Sequence, residues 1–165
     1  MDHTTIAATS ATLQALFEGT LTNAPEHGLT GLPIDLRSPR DVRLDGDGLG
    51  LSVWLHRVEA TTDRRTVLPA PGARRGEGLA LELHYLITPF ADNPEAEHTA
   101  LARVLETLRD YPVLTGDDLF GGLTGELRLS LETLTLDESL RLWTALQEPY
   151  HAAVAVQARP LPLEP

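Results

Sequence analysis

The segment from Leu79 to Leu114 constrains the fold of this chain more than any other, because it predicts a strand and a helix with defined ends. Alternate residues of 79–90 are apolar, which is the period of a strand with one buried face. Asn93 followed by Pro94 is a typical helix start. The helix is expected to end at Tyr111, because the residue before a proline avoids the α region. A helical stripe of apolar residues lies between these ends: Ala100, Leu101, Val104, Leu105 and Leu108.

Two further helices and four further strands are predicted. Residues 4–22 carry apolar side chains at helical spacing. Thr135 and Glu138 form a capping box that begins a helix ending before Pro149. Apolar alternation predicts strands over 42–44, 50–58, 126–134 and 152–159. The expected fold class is α+β, with a mixed sheet of about five strands flanked by three main helices. A length of 165 residues fits one domain, 1–165.

A hairpin is predicted where Asp45-Gly46-Asp47-Gly48 separates two alternating apolar stretches. Asp-Gly in that setting is a strong hairpin signal. We therefore expect the strands over 42–44 and 50–58 to pair. Trp54 lies on the face opposite Leu51 and Val53, so the second strand is expected to be covered on both faces.

Residues 60–78 are predicted to form a long arginine-rich loop, and loops of that length often have a function. Residues 57–75 contain five arginines against two acidic residues, a local formal charge of +3. An interface with an acidic partner or a neighbouring copy is one interpretation. A solvated loop is the other. The candidate interface residues are Arg64, Arg65, Arg74 and Arg75.

Two other segments are predicted to lack regular structure. Residues 115–125 are rich in glycine and are interpreted as a flexible surface loop. Residues 160–165 contain three prolines and are interpreted as a C-terminal tail that does not continue a central strand.

Composition argues against several kinds of partner. The net charge is −11 and all thirteen basic residues are arginine, whereas a protein that binds nucleic acid needs surplus cations. No cysteine is present, so neither a disulfide nor a thiolate nucleophile is possible. No apolar run approaches the roughly 18 residues of a membrane span. Residues 1–10 lack the features of a secretory signal. Neither nucleic acid nor a membrane is therefore expected as a partner.

No motif predicts a catalytic, cofactor or metal site. The six histidines lack the spacing of a zinc site. The Asp-Gly-Asp sequence at 45–47 resembles the start of a calcium loop, but Leu49 and His56 occupy two later ligand positions. The loop over 115–125 holds two carboxylates and the chain has no lysine, so a phosphate cradle is not expected. Gly-x-Ser-x-Gly is also absent.

Individual polar residues are interpreted as structural. Glu82 and Glu132 are expected to be solvated charges on the polar faces of strands, and His98 is expected at the edge of the core. Because none of these residues belongs to a catalytic motif, the sequence does not predict an enzyme. A small-molecule or protein-binding module without catalysis remains an alternative, and a metal-dependent enzyme is a weaker one.

Four segments together resemble the cap, or tail-terminator, proteins of phage-tail-like contractile injection systems. They are SVWLHRVE (Ser52–Glu59), ALELHYLITPFADN (Ala80–Asn93), RDYPVL (Arg109–Leu114) and LWTALQEPYHAAVAVQAR (Leu142–Arg159). The resemblance extends over nearly the whole chain, and its motifs are mostly packing residues.

The resemblance implies a structural role and a tail-terminator-like fold. It implies a hexameric ring that ends the inner tube and contacts the last layer of the contractile sheath. It implies no cofactor and no catalytic residue. Such a protein would be assembled in the cytoplasm as part of a phage-tail-like particle and released with it. A ring repeats one heterologous contact, for which the acidic body and the arginine-rich loop offer surfaces of opposite charge.

Overall fold

A six-stranded mixed sheet is the centre of the computed structural model, which describes residues 3–23, 29–62 and 79–161. The helices are α1 (Thr5–Phe17), α2 (Pro39–Leu44), α3 (Pro94–Asp110) and α4 (Leu136–Leu146). The strands are β1 (Ile34–Asp35), β2 (Gly50–Thr62), β3 (Leu79–Phe90), β4 (Val113–Thr115), β5 (Glu126–Glu132) and β6 (Val154–Leu161). The predicted α+β class is confirmed. Of the helices in the described ranges, none has both the length and the apolar character to cross a bilayer.

The strand order is β1-β2-β3-β6-β5-β4. The β1–β2 pair is parallel, and the other four pairs are antiparallel. The last strand, β6, therefore lies inside the sheet, between β3 and β5. Because β3 and β6 lie in the middle of the sheet, helices can cover their side chains on both faces of the sheet.

The main core lies on the face of the sheet that α1 and α3 cover. Leu83, Tyr85 and Ile87 of β3 are fully buried there, as the alternation over 79–90 predicted. Burying one such side chain contributes about 1.5–3 kcal/mol, so this face accounts for much of the stability. The helices contribute buried residues at helical spacing: Leu13, Phe17, Ala100, Val104 and Leu108.

The opposite face is covered in part by α4. Trp143 and Leu146 of α4 pack on Leu86 of β3, and the half-buried Trp54 packs against the same cluster. Leu51 and Val53 are fully buried on the main-core side. The prediction that this strand is covered on both faces is therefore confirmed.

A π-helical turn, Glu18–Thr22, follows α1 and packs it against α3. Arg103 donates from Nε to the Thr20 carbonyl oxygen at 3.0 Å. The Thr107 hydroxyl bonds the Thr20 hydroxyl at 3.0 Å. The predicted helix over 4–22 is thus present as α1 followed by the π-helical turn. The π-helical turn exposes the Thr20 carbonyl oxygen, which accepts from the Arg103 guanidinium.

The predicted hairpin around residues 45–48 is wrong. Residues 39–44 form α2, because Ser38 accepts a hydrogen bond from the Asp41 amide and Pro39 occupies the first helical turn. Besides β3, β2 pairs instead with β1, where Ile34 is opposite Leu51. Two alternating apolar residues are a weak strand signal, and a helix cap directly before them overrides it.

Other boundaries also differ from the prediction. Residues 60–62 belong to β2 rather than to a loop, and 63–78 lie outside the described residues. The three-residue β4 was missed because it is too short to show a period. Leu105 is 43% exposed and His98 is also exposed, so neither lies in the core.

The predicted tail over 160–165 is wrong at its first two residues, because Pro160 and Leu161 continue β6. Pro160 is opposite Leu127 of β5, whereas pairing with β3 ends at Ala158. At position 160 the strand has a neighbour on one side only, so the missing proline N–H is tolerated there.

Candidate interaction surfaces and a polar cluster on the sheet

The predicted interface arginines, Arg64, Arg65, Arg74 and Arg75, lie outside the described residues. The nine arginines of the described ranges each donate to a group in the same chain. Eight of them form ion pairs with carboxylates, whereas Arg40 donates to neutral acceptors of Leu146 and Gln147. Several of these ion pairs are exposed, as at Arg109 and Arg141, and exposed pairs contribute little stability, so they leave these arginines accessible to a partner as well.

Two arginines of α2 hold the end of α4 in place. The Arg43 guanidinium forms a bidentate ion pair with Glu148, whose side chain is only 4% exposed. Arg40 donates to the Leu146 carbonyl oxygen at 3.2 Å and to the Gln147 side chain at 2.9 Å. These contacts satisfy acceptors at a helix C-terminus, where carbonyl oxygens lack helical partners.

We expect Arg43→Ala to lower the urea midpoint of unfolding at neutral pH. The hydrogen bond from Arg43 lowers the pKa of Glu148 below its ordinary 4.5. A carboxylate with a depressed pKa stabilises the fold above pH 4.5, and this contribution is lost as the pH falls through the folded-state value. The midpoints of the wild type and Arg43→Ala should therefore converge as the pH falls below 4.5 and through the folded-state pKa of Glu148. Equal midpoints at neutral pH would contradict the assigned role.

The glycine-rich loop over 115–125 is exposed, as predicted, but it is packed against α1. The Thr12 hydroxyl accepts from the Phe120 amide at 2.9 Å and lies 3.3 Å from the Phe120 carbonyl oxygen. Gly121 has φ +66°, and a Cβ atom there would meet the Ala8 Cα at 2.9 Å. The interpretation as a freely flexible loop is therefore wrong, because this close approach requires a glycine.

Several large apolar side chains remain at the surface. Leu136 and Leu140 are 69% and 46% exposed, and their spacing of four places them on one face of α4. Phe120 is 48% exposed at the tip of the packed loop. Singly exposed apolar side chains are normal on folded proteins, so these residues do not by themselves mark an interface.

A cleft of about 280 Å3 lies beside α4. Its lining includes Leu86, Trp143, Tyr150 and His151. This volume is just below the range of about 300–1,000 Å3 that is usual for small-molecule sites. The cleft is therefore close to the lower end of that range, and its volume does not decide on the alternative of a small-molecule-binding module.

A polar cluster occupies the part of the sheet that α4 leaves open. It begins at a β-bulge between Leu55 and Arg57. The bulge inserts one residue and so reverses which face the following side chains occupy. Arg57 and Glu59 of β2 therefore share a face with His84 and Glu82 of β3, with Arg57 opposite His84 and Glu59 directly opposite Glu82.

His84 is the centre of this cluster, and its side chain is 3% exposed. Its Nδ1 atom lies 2.9 Å from Glu132 Oε2 and 3.1 Å from an Arg57 nitrogen. One nitrogen cannot both donate to Glu132 and accept from Arg57. Since carboxylate is the stronger partner and Arg57 already donates to Glu132 at 2.9 Å, we assign the proton to Nδ1.

The acidic members of the cluster are not the solvated charges that the sequence predicted. Glu132 and Glu82 are 21% and 27% exposed. Glu82 accepts from Gln157 at 2.7 Å and pairs with Arg159 at 2.5 Å. The sequence did not predict these contacts, because the contacts join residues of four different strands. The only local signal was that Glu82 and His84 are two residues apart and so share a face of one strand.

His56 lies in the bulge, close to Glu132, Arg57 and His84 of the polar cluster. Desolvation by burial lowers the pKa of His56, and the nearby Glu132 opposes this effect. Its ring lies 6.4 Å from that of His84. This end of the sheet therefore holds two imidazoles next to a group of carboxylates.

Comparison with known proteins shows related chains. A sequence profile of the Pvc16 N-terminal domain matches residues 8–165. A sheath/tube terminator of an extracellular contractile injection system, PVC, in its extended state has a similar fold, with TM-score 0.65 and 15% identity. That match covers 100% of this chain and 59% of the other.

The tube-terminating cap of the anti-feeding prophage is also similar, with TM-score 0.57 and 16% identity. It covers 94% of this chain and 54% of the other. The chain therefore spans a little over half the length of both solved proteins. No curated protein sequence matches it. At these identities the structural matches establish the fold.

Proposed function

The chain belongs to the Pvc16 N-terminal domain family, and we infer from this membership that it is a structural cap of a contractile injection particle. The observation that carries the proposal is the whole-chain agreement of its fold with a sheath/tube terminator and a tube-terminating cap. We propose that residues 1–165 form the terminator domain, that the domain ends the inner tube, and that it contacts the last sheath layer.

A ring around the end of the tube would place identical copies in a repeated heterologous contact. We propose six copies. One surface of this contact would be the segment with Arg64, Arg65, Arg74 and Arg75. The other would be acidic: Asp117 and Asp118 are exposed, and no ion pair to either occurs among the described residues. The last sheath layer is the alternative partner for these arginines.

The proposed partners follow from the position at the end of the particle. The ring would meet the inner tube on one side and the sheath on the other. It would join the particle as the tube is completed in the cytoplasm and be released with it. No catalytic step and no cofactor is part of the proposed role.

Electron microscopy of particles assembled with and without this protein tests the proposal. With the protein present, we expect tubes of uniform length with density for a ring at one end. Without it, tubes should lack that density and vary in length. Native mass spectrometry with tube protein should show six copies per tube end. Uniform, normally ended tubes in the absence of the protein would overturn the cap assignment.

Changing the four interface arginines to Ser together should reduce ring assembly at least about tenfold, since charged interface pairs commonly contribute more than the 1.4 kcal/mol that corresponds to that factor. The thermal midpoint of the monomer should stay nearly unchanged. Assembly is measured by native mass spectrometry or by the fraction of capped tubes.

A matched control replaces four other arginines by Ser: Arg37, Arg109, Arg128 and Arg141. Their side chains are 52% to 80% exposed and pair with carboxylates of the same chain. The charge change is the same as in the interface variant. Equal loss of assembly in both variants would mean that overall charge, and not the 64–75 segment, controls assembly.

A further inference from the structure

The polar cluster contains a like-charge contact that its neighbours leave incompletely balanced. Glu59 and Glu82 are direct cross-strand partners on one face of β2 and β3, and like charges in that position are destabilising. Glu132 adds a third carboxylate, while Arg57 and Arg159 supply two positive charges. With neutral His84 the formal charge of the group is −1.

A second and independent feature is the Nε2 atom of His84. It is buried, and it has no hydrogen-bond partner among the described residues. With the proton on Nδ1 donated to Glu132, Nε2 presents a free lone pair toward Glu59 Oε1 at 3.9 Å. An unpartnered acceptor in a buried side chain is costly unless another group binds it.

We propose that His84, Glu59 and Glu82 form a binding site for a divalent transition-metal ion of the zinc type. One ligand atom from each residue lies within 4.8 Å of the others. Tetrahedral zinc places its ligand atoms about 3.4 Å apart, so a small rotation of Glu59, whose side chain is 48% exposed, closes the site. Water would complete the coordination.

The surroundings fit this ion better than magnesium or calcium, which prefer sites made of oxygen ligands alone. Imidazole with carboxylates suits zinc. The Glu132–His84 hydrogen bond is the outer contact that usually orients a metal-binding histidine. Arg57 lies 3.3 Å from Glu59, so it competes with the ion for that carboxylate and would limit the affinity.

The ion would join β2 to β3 at the end of the pair that leads into residues 63–78. The site is separate from the cap function, because it requires neither a ring nor a tube.

Calorimetric titration of the untagged, chelator-treated full chain with Zn2+ tests the site. We expect saturable binding of one ion per chain and at least about tenfold weaker binding by Glu59→Gln. Glu126→Gln is the matched control, since Glu126 is a carboxylate of β5 that pairs with Arg128. Absence of saturable binding, or equal affinity in the two variants, would overturn the proposal.

Nitrogen NMR of His84 supplies a second readout. The metal-free protein should show the Nδ1–H tautomer, and Zn2+ should shift the Nε2 resonance. A proton on Nε2 in the metal-free protein, or an Nε2 signal that zinc leaves unchanged, would contradict the assigned coordination.

Discussion

Tyr85→Ala is expected to lower the free energy of unfolding by about 3–5 kcal/mol, the usual cost of removing a buried aromatic side chain. Tyr85 lies in the middle of β3, one of the central strands, and its exposure is 0%. It packs in the main core between the sheet and the helices α1 and α3. A typical domain is stable by only about 5–15 kcal/mol, so this change should leave the protein marginally folded. Urea unfolding followed by circular dichroism measures the effect.

Tyr85→Phe separates packing from hydrogen bonding at the same position. The Tyr85 hydroxyl lies 2.8 Å from Ser10 Oγ, and burial raises the pKa of Tyr85 to about 12. Removing the hydroxyl should cost about 1 kcal/mol. Ser10→Ala should have an effect of similar size. If Tyr85→Phe were as destabilising as Tyr85→Ala, the hydroxyl contact rather than the ring would dominate at this position.

The parts of the fold that could be predicted are those in which several local signals agree. Helix α3 has a cap at Asn93, a proline at its first position and an apolar stripe. Helix α4 begins with the capping box of Thr135 and Glu138. Helix α2 was missed because two apolar residues near an Asp-Gly sequence were interpreted as a strand, although Ser38-Pro39 was a helix-start signal.

The resemblance predicted the family from packing residues, and the profile match over 8–165 confirms it. The contacts of the polar cluster could not be predicted, because they depend on strand register. The extra residue between Leu55 and Arg57 decides which side chains face His84. The sequence marks that insertion only weakly, by a shift of the apolar positions from Leu51, Val53 and Leu55 to Val58.

The four arginines of the 64–75 segment remain a prediction. In a protein of net charge −11, copies repel one another unless opposite charges meet at the contact. A local positive surface would reduce this repulsion in a ring of such copies, and the 64–75 segment holds four of the thirteen arginines.

Gly121→Ala is expected to destabilise the protein by about 2–3 kcal/mol. Part of this cost is the positive φ of +66°, which an L residue adopts at about 1–2 kcal/mol. The rest arises because the new Cβ would lie 2.9 Å from the backbone of Ala8 and 3.3 Å from the Ala11 side chain, and α1 cannot move without disturbing the core. Urea unfolding measures the total.

Gly122→Ala is the matched control, because Gly122 has φ +82° and a Cβ there would meet nothing within 4 Å. It should cost only about 1–2 kcal/mol. If the loop yields instead of α1, Gly121→Ala will show a smaller loss of stability but faster hydrogen exchange at the Phe120 amide, which donates to Thr12. Equal stability and equal exchange in the two variants would show that the loop does not depend on its close contact with α1. Loss of protection in Gly121→Ala alone would show that this single close contact holds the exposed Phe120 in place on the protein surface.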